Sequence, residues 1–145
     1  RIKVNGTMIT EGFVTDFVAK AQPCIDIIQP SFFELTVIMA FKYFVKEKVD
    51  IAIIETGLGG RLDSTNIIAP ELSIITNIGW DHMQLLGNTL EKIAFEKAGI
   101  IKQDTPVIIG EVLPQTKSIF ETVAAEKNAP IFFAEQCYEI QAAYG

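Results

Sequence analysis

Cysteine is scarce: Cys24 and Cys137 are the only two in 145 residues, far apart and without C-x-x-C spacing. That excludes a disulfide scaffold or zinc ribbon as the organising device and favours a reducing compartment, so the expected location is cytoplasmic. Basic residues number 12 against 18 acidic, a net charge of −6, and no Lys/Arg run of the nucleic-acid type occurs. Neither nucleic acid nor an anionic membrane is therefore an expected partner. No apolar run approaches the ~18 residues of a membrane span, and no basic-then-apolar leader opens the sequence. Histidine and tryptophan are present once each, as His82 and Trp80.

Hydrophobic residues make up 49% and charged residues 21%, a globular balance that rules out general disorder. The length suits one domain of ordinary size, able to bury roughly two thirds of its unfolded surface. The first residue is Arg1 and the chain opens on the strand-like Ile2-Lys3-Val4, so a piece of a longer protein is expected.

The spacing of apolar residues and turn signals sets the element order. Asn5-Gly6 reads as a turn, and Thr10-Glu11 as a helix start, with a capping hydroxyl and first-turn negative charge. Phe13, Phe17, Val18 and Ala21 keep helical spacing until Pro23 interrupts it. After Pro30-Ser31, Phe32 to Val45 is apolar almost all round, which predicts a helix buried on most sides. Ile51–Ile54 then reads as a strand covered on both faces, followed by similar runs at 73–76, 107–109 and 131–133. Asn88-Thr89-Leu90-Glu91 resembles a capping box with Asn88 as the cap, starting a helix that ends near Gly99. Pro114 starts another, with Phe120, Val123, Ala124 and Lys127 on one face and Asn128 as its stop. Alternating strands and helices with short connections predict an α/β fold with a mostly parallel sheet flanked by helices.

In such sheets ligands sit beyond the carboxyl ends of the strands. Two strand ends carry suitable residues: Glu55 through Asn66, and Asn77 through His82. Glu55 closes an apolar strand and needs a cation or good hydrogen bonds there; a structural carboxylate and a metal ligand are equally open readings. Gly57, Gly59 and Gly60 allow close backbone approach, either to a phosphate or simply in a turn. They do not make a dinucleotide fingerprint, since Leu62 occupies the third glycine position. His82 with Glu55 could share an oxygen-rich metal shell, although a lone histidine is more often structural. Lys97, in Glu96-Lys97-Ala98-Gly99, reads by position as a solvated lysine near a helix C-terminus. Phe32-Phe33 reads as core, or as an aromatic at a cleft that stacks on a flat ring.

Several motifs stand in register: Glu-Thr-Gly-Leu-Gly-Gly-Arg-Leu-Asp-Ser-Thr-Asn, Thr-Asn-Ile-Gly-Trp-Asp-His and Glu-Lys-Ala-Gly-Ile, after Ser-Phe-Phe-Glu-Leu-Thr. From Arg1 to about Phe133 the chain resembles folylpolyglutamate synthase/dihydrofolate synthase, a branch of the Mur ligase superfamily. The resemblance implies an ATP- and magnesium-dependent ligase that joins glutamate to dihydropteroate or a folate through an acyl phosphate. It assigns Glu55, His82 and Lys97 to magnesium, Lys97 as a carbamate, with Lys97 and His82 as catalytic residues. Gly57, Gly59, Gly60 and Asn77 fall on the nucleotide side. Phe33 would pack on the pterin, and Asp63 and Ser64 would line the same pocket.

The family's G-K-[ST] phosphate loop is nowhere in these residues and would lie upstream of Arg1. The expectation is thus a partial, P-loop NTPase-like central domain over 1–145, without the first strand, the P-loop and the glutamate-binding C-terminal domain. Alone it should be inactive, and its unpaired strand edges should favour self-association. Three rivals stand beside this reading: a cell-wall precursor ligase, a metal-dependent hydrolase built on Glu55, Asp81 and His82, and a degenerate interaction domain.

Overall fold

The computed structural model describes residues 1–80 and 82–137. Its chain divides into two compact units, Arg1–Glu55 and Thr56 onward, where the length alone suggested one domain. Length fixes how much chain there is to bury, not where contacts concentrate.

In the first unit, β1 (Lys3–Val4) and β2 (Thr7–Met8) form an antiparallel hairpin. Asn5 and Gly6 both take positive φ, 49° and 81°, as a two-residue turn between right-twisted strands requires. Helix α1 (Glu11–Ile28) starts where expected, with the Thr10 hydroxyl accepting from the Phe13 amide at 3.2 Å. It does not stop at Pro23 but runs through it to Ile28. The proline removes an N–H that would have met the carbonyl of Ala19, and Ala19 is exposed, so water can satisfy the orphaned oxygen.

Helix α2 (Phe32–Glu47) has a capping box: Glu34 N–H donates to Ser31 Oγ, and Ser31 N–H donates to Glu34 Oε2. The Phe13 and Tyr43 rings meet edge-on, with centroids 4.9 Å apart. The helix is not buried on most sides, however. Val37 and Tyr43 are buried, whereas Phe32, Ile38 and Val45 are exposed. Nor do residues 51–54 form a strand, and Ile53 is 93% exposed. A strand covered on both faces is made by its neighbours, and β-branched composition cannot supply them.

The second unit holds a parallel sheet in the order β3 (Ser73–Ile75), β4 (Val107–Ile109), β5 (Ile131–Phe133). Ser73 pairs with Val107 and Val107 with Ile131, so the strands align without offset. Between β3 and β4 lie α3 (Met83–Leu86) and α4 (Leu90–Ala98); α5 (Pro114–Glu126) connects β4 to β5, and α6 (Ala134–Cys137) follows. The cap of α4 is Thr89, accepting from Lys92 N–H at 3.3 Å; Asn88, the expected cap, instead accepts from Lys92 Nζ. Both side chains are competent caps, and Thr89 holds the extended φ and ψ the position needs.

The core joins Ile75, Val107, Ile109 and Phe133 to Ile93, Ala94, Phe120 and Ala124 of α4 and α5. Ile74 and Phe132 point the other way and are half-exposed, so the described residues cover only one face of the sheet. A continuous apolar run cannot tell which face is covered, which is why both were expected to be.

Candidate functional site

The loop after residue 55 is held by one carboxylate. Asp63 Oδ2 accepts from the amides of Gly57 at 3.0 Å and Leu58 at 2.9 Å. Its Oδ1 accepts from Thr65 N–H at 2.9 Å and from the Thr65 hydroxyl, capping a short 3-10 turn, Ser64–Ile67. The negative charge thus rests among four donors, and the loop folds around it. Ser64 next to it is half-buried.

Two glycines of this loop do approach something closely: Gly60 the end of helix α4, and Gly59 Leu86 of α3. A side-chain carbon on Gly60 would come within 2.9 Å of the carbonyl oxygens of Glu96 and Lys97. One on Gly99 would lie 2.3 Å from Arg61 Cα, and Gly59 adopts φ +66° against Leu86. Glycine is required at these positions because backbone packs on backbone.

Polar contacts fasten the same junction. Arg61 N–H donates to the Glu96 carbonyl at 2.8 Å, and the Arg61 guanidinium grips the Glu96 carboxylate through Nη2 at 2.9 Å and Nε at 3.2 Å. Glu96 holds the Arg61 guanidinium above its ordinary value, first by that hydrogen bond and then by its charge. Asn66 Nδ2 donates to the carbonyls of Gly99 and Arg61, and Lys102 Nζ to the carbonyl of Asn66 at 2.7 Å. Arg61, Glu96, Asn66 and Lys102 received no role from the sequence. Arg61 and Glu96 lie 35 positions apart, and no local pattern marks such a pair.

The second strand end meets the same helix. Lys97 Nζ donates to the carbonyl of Asn77, just past β3, at 3.2 Å. Lys97 is half-buried, so it is not the fully solvated lysine that its position suggested. His82 begins α3 in a left-handed conformation, φ 53°, with its side chain exposed and without a hydrogen bond among the described residues. Asp81, which the hydrolase reading needs, lies outside the described residues.

Glu55 and Phe33 belong to the first unit. Glu55 is exposed, contrary to the expectation of a carboxylate confined at the end of a buried strand, because no strand forms before it. Phe33 is 41% exposed near the start of α2, so an aromatic face is available at that helix end. In the same turn, hydrogen bonds from the Ser31 side chain and backbone hold the Glu34 carboxyl below its ordinary value.

As a magnesium site this donor set is incomplete as it stands. Glu55 is an oxygen donor and His82 an available imidazole, but the Lys97 ammonium donates protons and repels a cation. No group of three His, Cys, Asp or Glu among the described residues could hold a metal ion. Of these residues, Lys97 would suit magnesium only as an oxygen-bearing carbamate.

Comparison with known proteins adds an independent line. The Mur ligase middle domain model matches residues 5–137. The chain is 44% identical over 137 residues to the dihydrofolate synthase/folylpolyglutamate synthase of Bacillus subtilis, covering 90% of this chain and 32% of that protein. Among solved structures, a folylpolyglutamate synthase from Thermotoga maritima superposes with a TM-score of 0.83 at 37% identity, covering 92% of this chain and 31% of that one. An FPGS–AMPPCP complex gives a TM-score of 0.86 at 33% identity, covering 92% of this chain and 35% of that one. The chain thus spans about a third of the length of these relatives. The family model's match over residues 5–137 shows that the chain belongs to the Mur ligase family, as its middle domain.

Proposed function

We propose that the chain is the central part of an ATP-dependent ligase that joins L-glutamate to dihydropteroate or a (tetrahydro)folate. The observation that carries the reading is the meeting of the three family motifs on one helix. The Gly57–Asn66 loop packs on α4 through Gly60 and Arg61, and the β3 end meets α4 through Lys97 and Asn77.

The reaction transfers the γ-phosphoryl group of ATP to the acceptor carboxylate, releasing ADP and forming an acyl phosphate. The glutamate amine then attacks the acyl carbon, phosphate leaves, and the amine loses a proton. Positioning and charge stabilisation dominate such chemistry. Phe33 offers a ring face to the flat pterin. Asp63 fixes the loop backbone from within, so that loop groups at Ser64 meet the acceptor already ordered. Gly57, Gly59, Gly60 and Asn77 set the backbone on the nucleotide side. Glu55, His82 and Lys97 as a carbamate would hold magnesium, which when bound offsets charge on the phosphate oxygens. Lys97 and His82 are the residues assigned to the catalytic centre.

The sequence contains no G-K-[ST] segment, so these residues do not include a P-loop, and the 145 residues alone are inactive in this reading. They work as part of a cytoplasmic enzyme, and when isolated they self-associate through the uncovered sheet face of Ile74 and Phe132. Sedimentation of the isolated chain tests the last point, with a monomer at high concentration counting against it.

The functional test is ADP release by the intact gene product with ATP, magnesium and glutamate, with dihydropteroate and tetrahydrofolate supplied separately. Release that requires one of these acceptors supports the reading. Folded protein that releases none with either overturns it, and stimulation by a UDP-sugar peptide instead indicates a cell-wall precursor ligase.

A further inference from the structure

The junction between the Gly57–Asn66 loop and α4 holds more fastening than a surface loop needs. Arg61 is fixed three ways: by its backbone amide on the Glu96 carbonyl, its guanidinium bidentate on the Glu96 carboxylate, and its Cα against Gly99. Its cationic carbon also lies 5.8 Å from the centre of the Phe95 ring. Asn66 closes the far end of the loop onto Gly99. Lys97, which reaches back to the end of β3, is the next residue after Glu96.

We propose that Arg61 and Glu96 are a positioning pair that locks the 57–66 loop to the last turns of α4, so that loop and Lys97 move as one rigid element. Neither side chain needs to touch a reacting group. A bidentate guanidinium–carboxylate pair fixes both distance and angle, which a single charge contact does not. Asp63 orders the loop internally, whereas Arg61 and Glu96 set where the ordered loop stands relative to Lys97. The kinetic consequence rests on the functional reading above: the loop bears on the acceptor and Lys97 on the phosphoryl group, so a loosened lock misplaces one against the other.

The test compares Arg61→Met, Arg61→Lys, Glu96→Gln and the exchanged pair Arg61→Glu with Glu96→Arg in the intact gene product. Lys20→Met, which removes the exposed Lys20–Asp16 pair on α1, is the control. Hydrogen exchange of residues 57–66 and 96–99 is followed in every variant, alongside steady-state kinetics. The expected result is about tenfold higher KM for the pterin acceptor in each single variant, Arg61→Lys included, with KM for ATP changed less than about twofold. Exchange should rise in the two segments and not in β4, and the exchanged pair should recover part of both effects. Folded variants with unchanged exchange in these segments, or with lower thermal stability and unaltered KM for the acceptor, overturn the proposal. If the wild-type protein shows no acceptor-dependent turnover, the functional reading fails, and local exchange alone decides the pair: a rise confined to both segments upholds the lock, and its absence refutes it.

Discussion

Phe32 and Phe120 are the same side chain on helices that both begin with a clear start signal, yet Phe32 is 85% exposed and Phe120 is fully buried. The contrast extends to their surroundings. Beyond Thr56, β3, β4 and β5 present Ile75, Val107, Ile109 and Phe133 to α4 and α5, and one continuous core results. Within Arg1–Glu55, Val37, Tyr43 and Phe17 are buried while Ile27, Ile28, Val45, Ile51 and Ile53 are exposed. Hydrophobic content therefore does not measure burial. A helix forms from local signals, but its apolar face is buried only where other elements meet it.

That difference can be broken most strongly at Phe120. Replacing it with alanine should cost about 3–5 kcal/mol of unfolding free energy, because the cavity is enclosed on all sides. Phe32→Ala should change stability by no more than about 0.5 kcal/mol. Urea titration of both variants checks the pair, and similar losses at the two positions would erase the distinction between the units.

Gly99→Ala comes next, at about 1–3 kcal/mol, because the new methyl meets the Arg61 backbone at 2.3 Å and backbone yields poorly. The same titration reads it, and its effect should be confined to the second unit.

In the first unit the caps matter more than the apolar surface. Thr10→Ala and Ser31→Ala should each cost about 1 kcal/mol, more than Phe32→Ala on the same scale. Circular dichroism of thermal unfolding distinguishes these outcomes.

The smallest effect is on pH. The Glu34 carboxyl is lowered in the folded chain by its Ser31 hydrogen bonds, so it binds a proton less readily there than in the unfolded chain. Its contribution is fully present above the ordinary glutamate value of 4.5 and is lost as pH falls through the lowered folded value. Comparing melting against pH for the wild type and Glu34→Gln should show a slightly shallower acid loss in the variant. Identical profiles would remove the capping box as a source of acid sensitivity.

What the sequence disclosed follows the same division between local and distant causes. Thr10 and Pro114 mark helix starts because a cap or a first-turn proline acts within one turn. The turn at Asn5-Gly6 was legible for a similar reason, whereas the runs at 73–76, 107–109 and 131–133 became strands because they find one another as partners. Pro23 misled because the cost of a missing N–H depends on whether the orphaned carbonyl is solvated, which neighbouring letters do not record. Ile51–Ile54 misled because a strand exists only with its partners. At the site, the Gly57–Asn66 segment and Lys97 stood out by motif, and Gly59 and Gly60 stand in close contact with their neighbours. What they approach, α3 and α4, and the Arg61–Glu96 grip on α4 emerge only in three dimensions.

The most direct test of the central claim is transfer of labelled glutamate by the intact gene product, given ATP and either dihydropteroate or tetrahydrofolate. The account predicts label in an amide-linked pterin product, dependent on both ATP and the acceptor, and abolished in Lys97→Met. Label transferred without ATP, or none transferred by folded protein to either acceptor, would contradict it.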